Sequence, residues 1–417
     1  MSSESFEMVS AGDVGVFRGG SGFPIRFQGQ KGAELPFFKV SDMNTTGNEL
    51  FMVRANNYVS EKLRASMGAN RIPAGAIVFA KVGAAVFLER KRILAQDSCI
   101  DNNMAAFIVD SSRADVRFLH YLLSAFKLSS LVATTALPSL NGKQLRSIPL
   151  VMPSRLDEQI AIAKVLSSVD ELIGSLEGLI KKKYAIQEGV IRQLLSGRTR
   201  LPGFTSEWQE VLLGEHVTYV KTVALSRAEL DSHSPLRYLH YGDIHTSNSV
   251  RLDAAHDRMP RAAAAKARNA GRLQVGDLVF ADASEDPEGV GKSIELVSIP
   301  PGGVVPGLHT IAARFDKTVL ADGFKAYLQF VPGFREALLR LASGTKVLAT
   351  TRKYISSVAL NLPGIAEQQA IAEVLKNGDA EIEALRRQLE RVRNIKQGMM
   401  QELLTGRTRL KTTGVSA

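Results

Sequence analysis

Two stretches of the chain carry hydrophobic residues at alternating spacings of four and three, and each stretch predicts one long helix. Eight of the ten positions sampled in this way are apolar in residues 162–194, and eight of ten in residues 371–403. This spacing places one apolar stripe along a helix and is typical of a coiled coil. The predicted helix-pairing positions are Ile162, Leu166, Val169, Ile173, Leu176 and Ile180 in the first helix, and Ile371, Leu375, Ile382, Leu385, Leu389 and Val392 in the second.

The two helical stretches are copies of each other. A shift of 209 positions aligns residues 158–201 with 367–410, and 19 of these 44 positions are identical. Both copies end in nearly the same octapeptide, "LLSGRTRL" and "LLTGRTRL". Gly197 and Gly406 follow the last apolar positions, where a helix commonly closes on a residue of positive φ. We expect the arginines after each glycine to interact with the negative end of the helix dipole rather than with DNA phosphate.

The rest of the chain repeats more faintly. Residues 35–45 resemble 236–246, and residues 71–80 resemble 272–281, both at a shift of 201. Short alternating apolar runs interrupted by Gly, Pro and Asn predict mixed α/β domains with substantial strand content. The predicted protein is of the α+β class with a pseudo-twofold internal repeat. Its segments are a first domain over 1–150, a long helix over 151–201, a second domain over 202–360, and a second long helix with a tail over 361–417.

Length and charge narrow the range of functions. A chain of 417 residues has room for two or more domains. The net charge of +10 favours a polyanionic partner, with nucleic acid the first candidate. Cys99 is the only cysteine, which excludes an intramolecular disulfide and a cysteine-based zinc site. The first residues lack a signal-peptide pattern, and no apolar run is long enough to span a bilayer, so we expect a cytoplasmic protein without a membrane partner.

Motifs for catalysis are missing or incomplete. Gly-Lys-Ser at 291–293 lacks the upstream glycine of a phosphate-binding loop, because Asp286 occupies that position. Glu89 and Lys91 could belong to a metal-dependent nuclease, but the nearest upstream acidic partner is Asp42, and Glu89 is better interpreted as a charge at a strand end. No two histidines have the i, i+4 spacing of a helical zinc site. We therefore expect no catalytic residue, metal or cofactor in this chain.

The long segments "LPSLNGKQLRSIPLVMPSRLDEQIAIAKVLSSVDELI" and "TRKYISSVALNLPGIAEQQAIAEVLKNGDAEI" resemble the two conserved segments of type I restriction–modification specificity subunits. The turn-strand blocks ending at residues 75–79 and 276–280 are similar to those of the target-recognition domains of that family. The chain departs from the family pattern at Phe6, where the second domain opens with Trp208. The resemblance covers nearly the whole chain.

The resemblance implies two target-recognition domains held apart by two long antiparallel coiled-coil helices. Each domain would read one half of a bipartite, asymmetric site in double-stranded DNA, and the helices would set the spacer. It also implies docking of two methyltransferase subunits, which carry S-adenosylmethionine, and of two restriction–translocase subunits, which use ATP and Mg. Val165, Leu172 and Leu179 lie outside the pairing positions and are expected to face such partners.

Candidate DNA-binding residues follow the repeated strands, where polar side chains are not needed for packing. Lysine and arginine favour phosphate and guanine, and asparagine favours adenine. The candidates are Lys39, Asn44, Thr45, Lys81, Asn102, Asn103, Ser139, Asn141 and Lys143 in the first domain, and His240, His245, Thr246, Lys292, Thr345, Lys346, Thr350, Arg352 and Lys353 in the second.

Alternative functions remain open at this point. The chain could be the specificity subunit of a related methyltransferase-only system, a self-contained methyltransferase or nuclease, or a coiled-coil scaffold that does not bind DNA. The missing catalytic motifs oppose the enzymes, and the basic charge opposes the scaffold. Spacing in the sequence does not encode which bases are read.

Overall fold

The computed structural model describes residues 6–132, 138–341 and 348–410, and it divides into two compact units. Unit 1 comprises Met1–Leu176 and Gln388–Ala417, and unit 2 comprises Glu177–Arg387. Each unit therefore contains one globular part together with a segment of both long helices. The four-segment division expected from the sequence stays a prediction.

Unit 1 is built on a five-stranded sheet of order β2-β9-β6-β7-β4, with β6 in the middle, and on a smaller sheet of order β5-β3-β8. The opening strand β1 pairs antiparallel with β10, which directly precedes the long helix α4. The elements are β1 Phe6–Ser10, β2 Gly15–Gly19, β3 Leu35–Phe38, β4 Phe51–Met52, β5 Tyr58–Val59, α1 Glu61–Ser66, β6 Ile77–Ala80, β7 Lys91–Leu94, β8 Cys99–Ile100, β9 Met104–Val109, α2 Val116–Ala125, α3 Gly142–Arg146, β10 Pro149–Pro153 and α4 Leu156–Leu195.

Unit 2 repeats this plan. Its five-stranded sheet has the order β12-β19-β15-β17-β14, with β15 in the middle, and β11 pairs with β21 before the long helix α8. The elements are β11 Gln209–Leu212, β12 Val217–Val220, β13 Arg237–Leu239, α5 Tyr241–Thr246, β14 Arg251–Asp253, β15 Leu278–Ala281, β16 Ala283–Ser284, β17 Ser293–Ser298, β18 Val304–Pro306, β19 Thr310–Phe315, α6 Phe334–Leu341, β20 Leu348–Ala349, α7 Arg352–Ser356, β21 Ala359–Leu362 and α8 Ile365–Leu403.

Both middle strands form because four consecutive apolar residues follow a glycine turn. β6 (IVFA) and β15 (LVFA) are buried along their whole length. Gly75 and Gly276 precede them with φ of +80° and +89°, a backbone conformation that side chains other than glycine rarely adopt. A side chain at Gly276 would also lie 2.2 Å from Asp322 Oδ1. The turn-strand blocks expected from the sequence are thus confirmed.

Each globular core continues into the ends of the long helices. In unit 1, Leu166 of α4 and Leu403 of α8 belong to the cluster built on β6 and β9. In unit 2, Leu194 of α4 and Leu375 of α8 belong to the cluster built on β15 and β19. The predicted pairing positions are all buried or half-buried. Four of them lie in these globular clusters and therefore pack against the domain cores as well as along the helices: Ile162, Leu166, Ile371 and Leu375.

Polar contacts join segments of the two helices inside each unit. In unit 2 the Lys183 ammonium lies 2.6 Å from Glu381, and the Gln187 amide donates to the carbonyl of Leu375 at 2.9 Å. Residue numbers rise along α4 as they fall along α8, so these segments run antiparallel. In unit 1 the Lys396 ammonium lies 2.6 Å from Asp170.

The repeated Glu-Gln pair at the start of each long helix ties that helix to its unit. The Gln159 side chain accepts from the Asp115 amide at 2.9 Å and donates to the Pro153 carbonyl at 3.0 Å. Gln368 accepts from the Ala321 amide at 2.9 Å and donates to the Pro363 carbonyl at 2.8 Å. Because both glutamines are almost fully buried, they satisfy backbone groups that water cannot reach.

The repeated octapeptide closes each long helix and also supplies an ion pair. Gly197 and Gly406 do close their helices, with φ of +68° and +74°. The arginine that follows three residues later forms a bidentate ion pair with a glutamate at the start of the other helix. Arg200 pairs with Glu367 in unit 2 and lies over the Trp208 ring; Arg409 pairs with Glu158 in unit 1 and lies over the Phe6 ring.

Candidate nucleic-acid interface

In unit 1 the residue after the middle strand is the centre of a polar cluster. The Lys81 amide donates to the Asn103 carbonyl at 2.8 Å, and the Lys81 carbonyl accepts from the Leu140 amide at 2.9 Å. Val82 forms an antiparallel bridge with Ser139. Three candidate residues that are far apart in the sequence, Lys81, Asn103 and Ser139, therefore meet at one end of the sheet.

Lys39 approaches the same end from the smaller sheet, in which β3 pairs with β8 shortly before Asn103. The chain leaves β3 at Lys39, and the amide of Asp101, two residues before Asn103, donates to the carbonyl of Phe38 at 2.9 Å. The Lys39 ammonium donates to Gln28 Oε1 at 3.0 Å. Burial raises the pKa of the nearby Asp101 carboxyl. We define Lys39, Lys81, Asn103 and Ser139 as the unit 1 edge cluster.

Unit 2 has the same backbone arrangement after its middle strand. The Asp282 amide donates to the His309 carbonyl at 3.1 Å, and the Asp282 carbonyl accepts from the Thr350 amide at 2.7 Å. The next residue, Ala283, pairs with Ala349. Asp282 thus occupies the position of Lys81, and His309 the position of Asn103. We define His240, Asp282, His309 and Thr350 as the unit 2 edge cluster, since His240 directly follows β13 as Lys39 directly follows β3.

Aromatic contacts organise the unit 2 edge cluster. The Tyr241 ring lies 4.3 Å from the His240 ring, 6.1 Å from the His245 ring and 5.5 Å from the His309 ring, measured between centroids. His309 has a φ of +57°, which is uncommon outside glycine. Such backbone conformations persist only where the surrounding structure holds them, and they concentrate at functional sites.

Several candidates in unit 1 have local structural roles or remain exposed. Asn141 caps α3, because its side chain accepts from the amides of Lys143 and Gln144. Asn44 accepts a hydrogen bond from the Arg90 guanidinium. Thr45 is half-buried, and Asn102 and Lys143 are exposed. The contacts described above do not include these three residues in the unit 1 edge cluster.

The candidates of unit 2 divide in the same way. His240 caps α5 by accepting from the Gly242 amide, and Thr246 donates to the Gly242 carbonyl one turn earlier. The Lys292 ammonium donates to the His245 carbonyl at 2.5 Å, and its burial lowers its pKa. His245 contacts the Ala283 carbonyl at 2.8 Å. Arg352 and Lys353 are exposed on α7, whereas Thr345 and Lys346 lie outside the described residues.

Thr350 has an orphaned polar atom. Its side chain is 5% exposed, and its hydroxyl has no hydrogen-bond partner among the residues that the structure describes. A buried hydroxyl without a partner costs free energy unless water or a ligand supplies one.

Sequence reasoning missed Asp282, Tyr241 and His309. A signal for the first was available, because the repeat shift of 201 aligns Lys81 with Asp282. His309 could not be found in this way, because β17 and the loop after it are together longer than β7 and the loop after it, so that the shift has grown to 206 at His309.

The pair that resembled a nuclease motif is structural. The Glu89 carboxylate accepts from the amides of Leu128 and Ser129 at 3.0 and 2.8 Å, and the Lys91 ammonium lies 2.5 Å away. Lys91 also donates to the Phe126 carbonyl. These contacts hold the chain after α2 against β7, as expected of a charge at a strand end. Within the described part of the chain, no group of three His, Cys, Asp or Glu side chains is arranged to hold a metal ion.

Comparisons with known proteins show which family this chain resembles. Residues 3–183 match the family described as the type I restriction modification DNA specificity domain. Over these residues the chain is similar to that family. The resemblance found in the sequence is thereby confirmed.

Relatives and solved structures are similar to this chain over most of its length. The putative type I restriction enzyme MjaX specificity subunit of Methanocaldococcus jannaschii is 24% identical over 74% of this chain and 72% of its own length. The MjaVIII specificity subunit of the same organism is 24% identical over 78% and 76%. The crystal structure of the type I restriction-modification S subunit from M. genitalium superposes with a TM-score of 0.58 at 13% identity, covering 99% of this chain and 98% of that one.

A second solved chain, from work on complex assembly and conformational transition of the type I R-M system, has a TM-score of 0.55 at 13% identity over 97% of this chain and 98% of that one. These structural likenesses show the fold, in agreement with the mixed α and β content expected from the sequence. Among the described residues, no helix combines the length and the apolar character needed to cross a membrane.

Proposed function

We propose that this chain is the DNA-specificity subunit of a type I restriction–modification complex and is itself non-catalytic. The observation that carries the proposal is the repetition of one polar edge cluster at the same place in two similarly built units. Each cluster would read one half of a bipartite site in double-stranded DNA. The match of residues 3–183 to the specificity-domain family supports the same conclusion.

The long helices would set the distance between the two half-sites. α4 has 40 residues and α8 has 39, so each is about 60 Å long at a rise of 1.5 Å per residue. Helices of this length would suit two half-sites separated by several base pairs that no residue contacts.

The exposed faces of the helices would dock the catalytic partners. Leu172 and Leu179 are 45% and 40% exposed, and Ile186 continues the same seven-residue interval at 50%. Val165, which was expected on this face, instead packs against the core of unit 1. Large exposed apolar residues repeated along a helix mark a protein-binding surface. We propose that two methyltransferase subunits, which supply S-adenosylmethionine, bind here, and that two restriction–translocase subunits with ATP and Mg join them.

Methylome sequencing of the host tests the proposal. With the chain present, we expect methylation at one bipartite motif, and deletion of the chain should abolish that motif. Exchanging residues 1–150, or separately 202–360, for those of a relative should change one half-site and leave the other half and the spacer intact. A swap that changes both half-sites would contradict one domain reading one half-site.

A helix insertion tests the spacer. Four residues inserted after Leu176 in α4 and four after Arg387 in α8 add about 6 Å, and the rotation is close to a whole turn. The spacer should lengthen by one or two base pairs while both half-sites stay the same. A motif with changed bases and an unchanged spacer would contradict the role given to the helices. A non-DNA scaffold would show no salt-dependent DNA binding in a titration of the assembled complex.

A further inference from the structure

We infer that Lys81 and Asp282 are specificity-determining residues, one in each unit, and that they select opposite bases of a G·C pair. Lys81 would donate to the O6 and N7 acceptors of guanine, and Asp282 would accept from the N4 amino group of cytosine. This inference rests on the proposed function, since it assigns bases to the two edge clusters.

The backbone fixes both residues in the same place. Each one directly follows the middle strand of a five-stranded sheet, and its amide and its carbonyl are both tied to neighbouring segments. A side chain that leaves a rigid strand end is positioned more accurately than one on a free loop. The two side chains should therefore meet bound DNA at corresponding points of the two half-sites.

The Lys81 ammonium is available to a ligand. It donates to no acceptor among the residues that the structure describes, and a methyl group placed on Gly19 would lie 3.1 Å from it. The glycine at the end of β2 thus leaves room beside the ammonium. Guanine presents two acceptors in the major groove, and lysine commonly contacts them.

Asp282 carries the opposite charge at the equivalent point. Its side chain is 30% exposed, and Oδ1 lies 3.2 Å from His309 Nδ1, whose side chain is 51% exposed. Its other carboxylate oxygen has no partner within the described part of the chain. DNA phosphate repels a carboxylate, so an acidic residue in a DNA interface suits contact with a base-edge donor. Cytosine N4 is the donor that Asp and Glu commonly accept from in the major groove.

The methylated motif itself provides the first test. If the inference holds, each half-site contains at least one G·C pair, and a half-site made only of A·T pairs overturns it. Asp282→Asn should reduce discrimination at one G·C position of one half-site by about tenfold, and Lys81→Ala should do the same in the other half-site. The exchanges Lys81→Asp and Asp282→Lys should favour the inverted base pair at those positions.

Controls separate base reading from general effects. Lys62→Ala on α1 and Glu210→Gln on β11 change exposed charges away from the clusters and should leave the motif unchanged. If methylation falls uniformly at every position, the residues contact phosphate or support the fold, and the inference is wrong. If Asp282→Asn does not fold, Asp282→Glu replaces it, and failure of both assigns Asp282 a structural role. A wild-type chain that directs no motif would instead refute the proposed function.

Discussion

Gln368 offers a sharp test of how the long helix α8 is fastened to unit 2, because its neighbour Gln369 is the same residue in an exposed position. The Gln368 side chain is 1% exposed. It accepts from the Ala321 amide at 2.9 Å and donates to the carbonyls of Val319 and Pro363 at 2.9 and 2.8 Å. Gln368→Ala removes all three bonds at once.

The expected loss in the free energy of unfolding depends on which backbone groups lose their hydrogen-bond partner. The Ala321 amide becomes an unpaired buried donor, which costs about 1–3 kcal/mol. The loss of a hydrogen bond at each of the two carbonyls costs less free energy, since each carbonyl oxygen has a second lone pair that can accept another bond. We expect a total destabilisation of about 3 kcal/mol for Gln368→Ala. Gln369→Ala removes no side-chain hydrogen bond among the residues that the structure describes and slightly improves helix propensity, so it should change stability by less than about 0.5 kcal/mol.

Urea unfolding followed by tryptophan fluorescence measures the difference. Trp208 is the only tryptophan in the chain, and it packs against the core of unit 2, so its emission reports on that unit. A loss of about 3 kcal/mol should lower the unfolding midpoint by about 1–2 M urea. If Gln368→Ala and Gln369→Ala unfold at the same midpoint, the three hydrogen bonds do not stabilise the unit and the reasoning is refuted.

Three further predictions concern unit 1. Gln159→Ala should destabilise this unit by a similar amount, about 2–3 kcal/mol, as measured by circular dichroism during denaturation. An unchanged unfolding transition would show that the hydrogen bonds of Gln159 do not stabilise the unit. Arg409→Ala leaves the Glu158 carboxylate, 4% exposed, without its ion pair and should cost about 2–3 kcal/mol, less than a fully buried pair because the guanidinium is 35% exposed. Arg407→Ala changes an exposed residue of the same octapeptide and is the control. If both variants lose the same free energy of unfolding, the ion pair of Arg409 does not stabilise the unit. Burial lowers the pKa of His120 to about 4, so the unfolded chain binds a proton at this residue at a higher pH than the folded chain does. The free energy of unfolding should therefore fall by up to about 3 kcal/mol as the pH drops from about 6.5 to 4. A His120→Gln variant with the same pH dependence would exclude this residue as the cause.

The sequence by itself determined the elements and their repetition. The spacing of apolar residues predicted both long helices, and the glycines after them predicted where those helices close, because both features depend on local geometry. Turn-strand blocks such as residues 71–80 could also be predicted from the sequence, since a glycine turn followed by four apolar residues is typical of a buried strand. The family resemblance followed from the same repeated segments.

Only the tertiary structure decided which of the polar residues act together. Arg409 and Glu158 are 251 positions apart, and nothing in local spacing distinguishes Arg409 from the exposed Arg407. Asn141 was a sound candidate by residue type, yet it caps a helix, whereas Asp282 and His309 were missed and lie at the edge cluster. Hydrogen bonding and burial depend on which strand ends meet, and that is fixed by the packing of the whole sheet rather than by the order of residues along the chain.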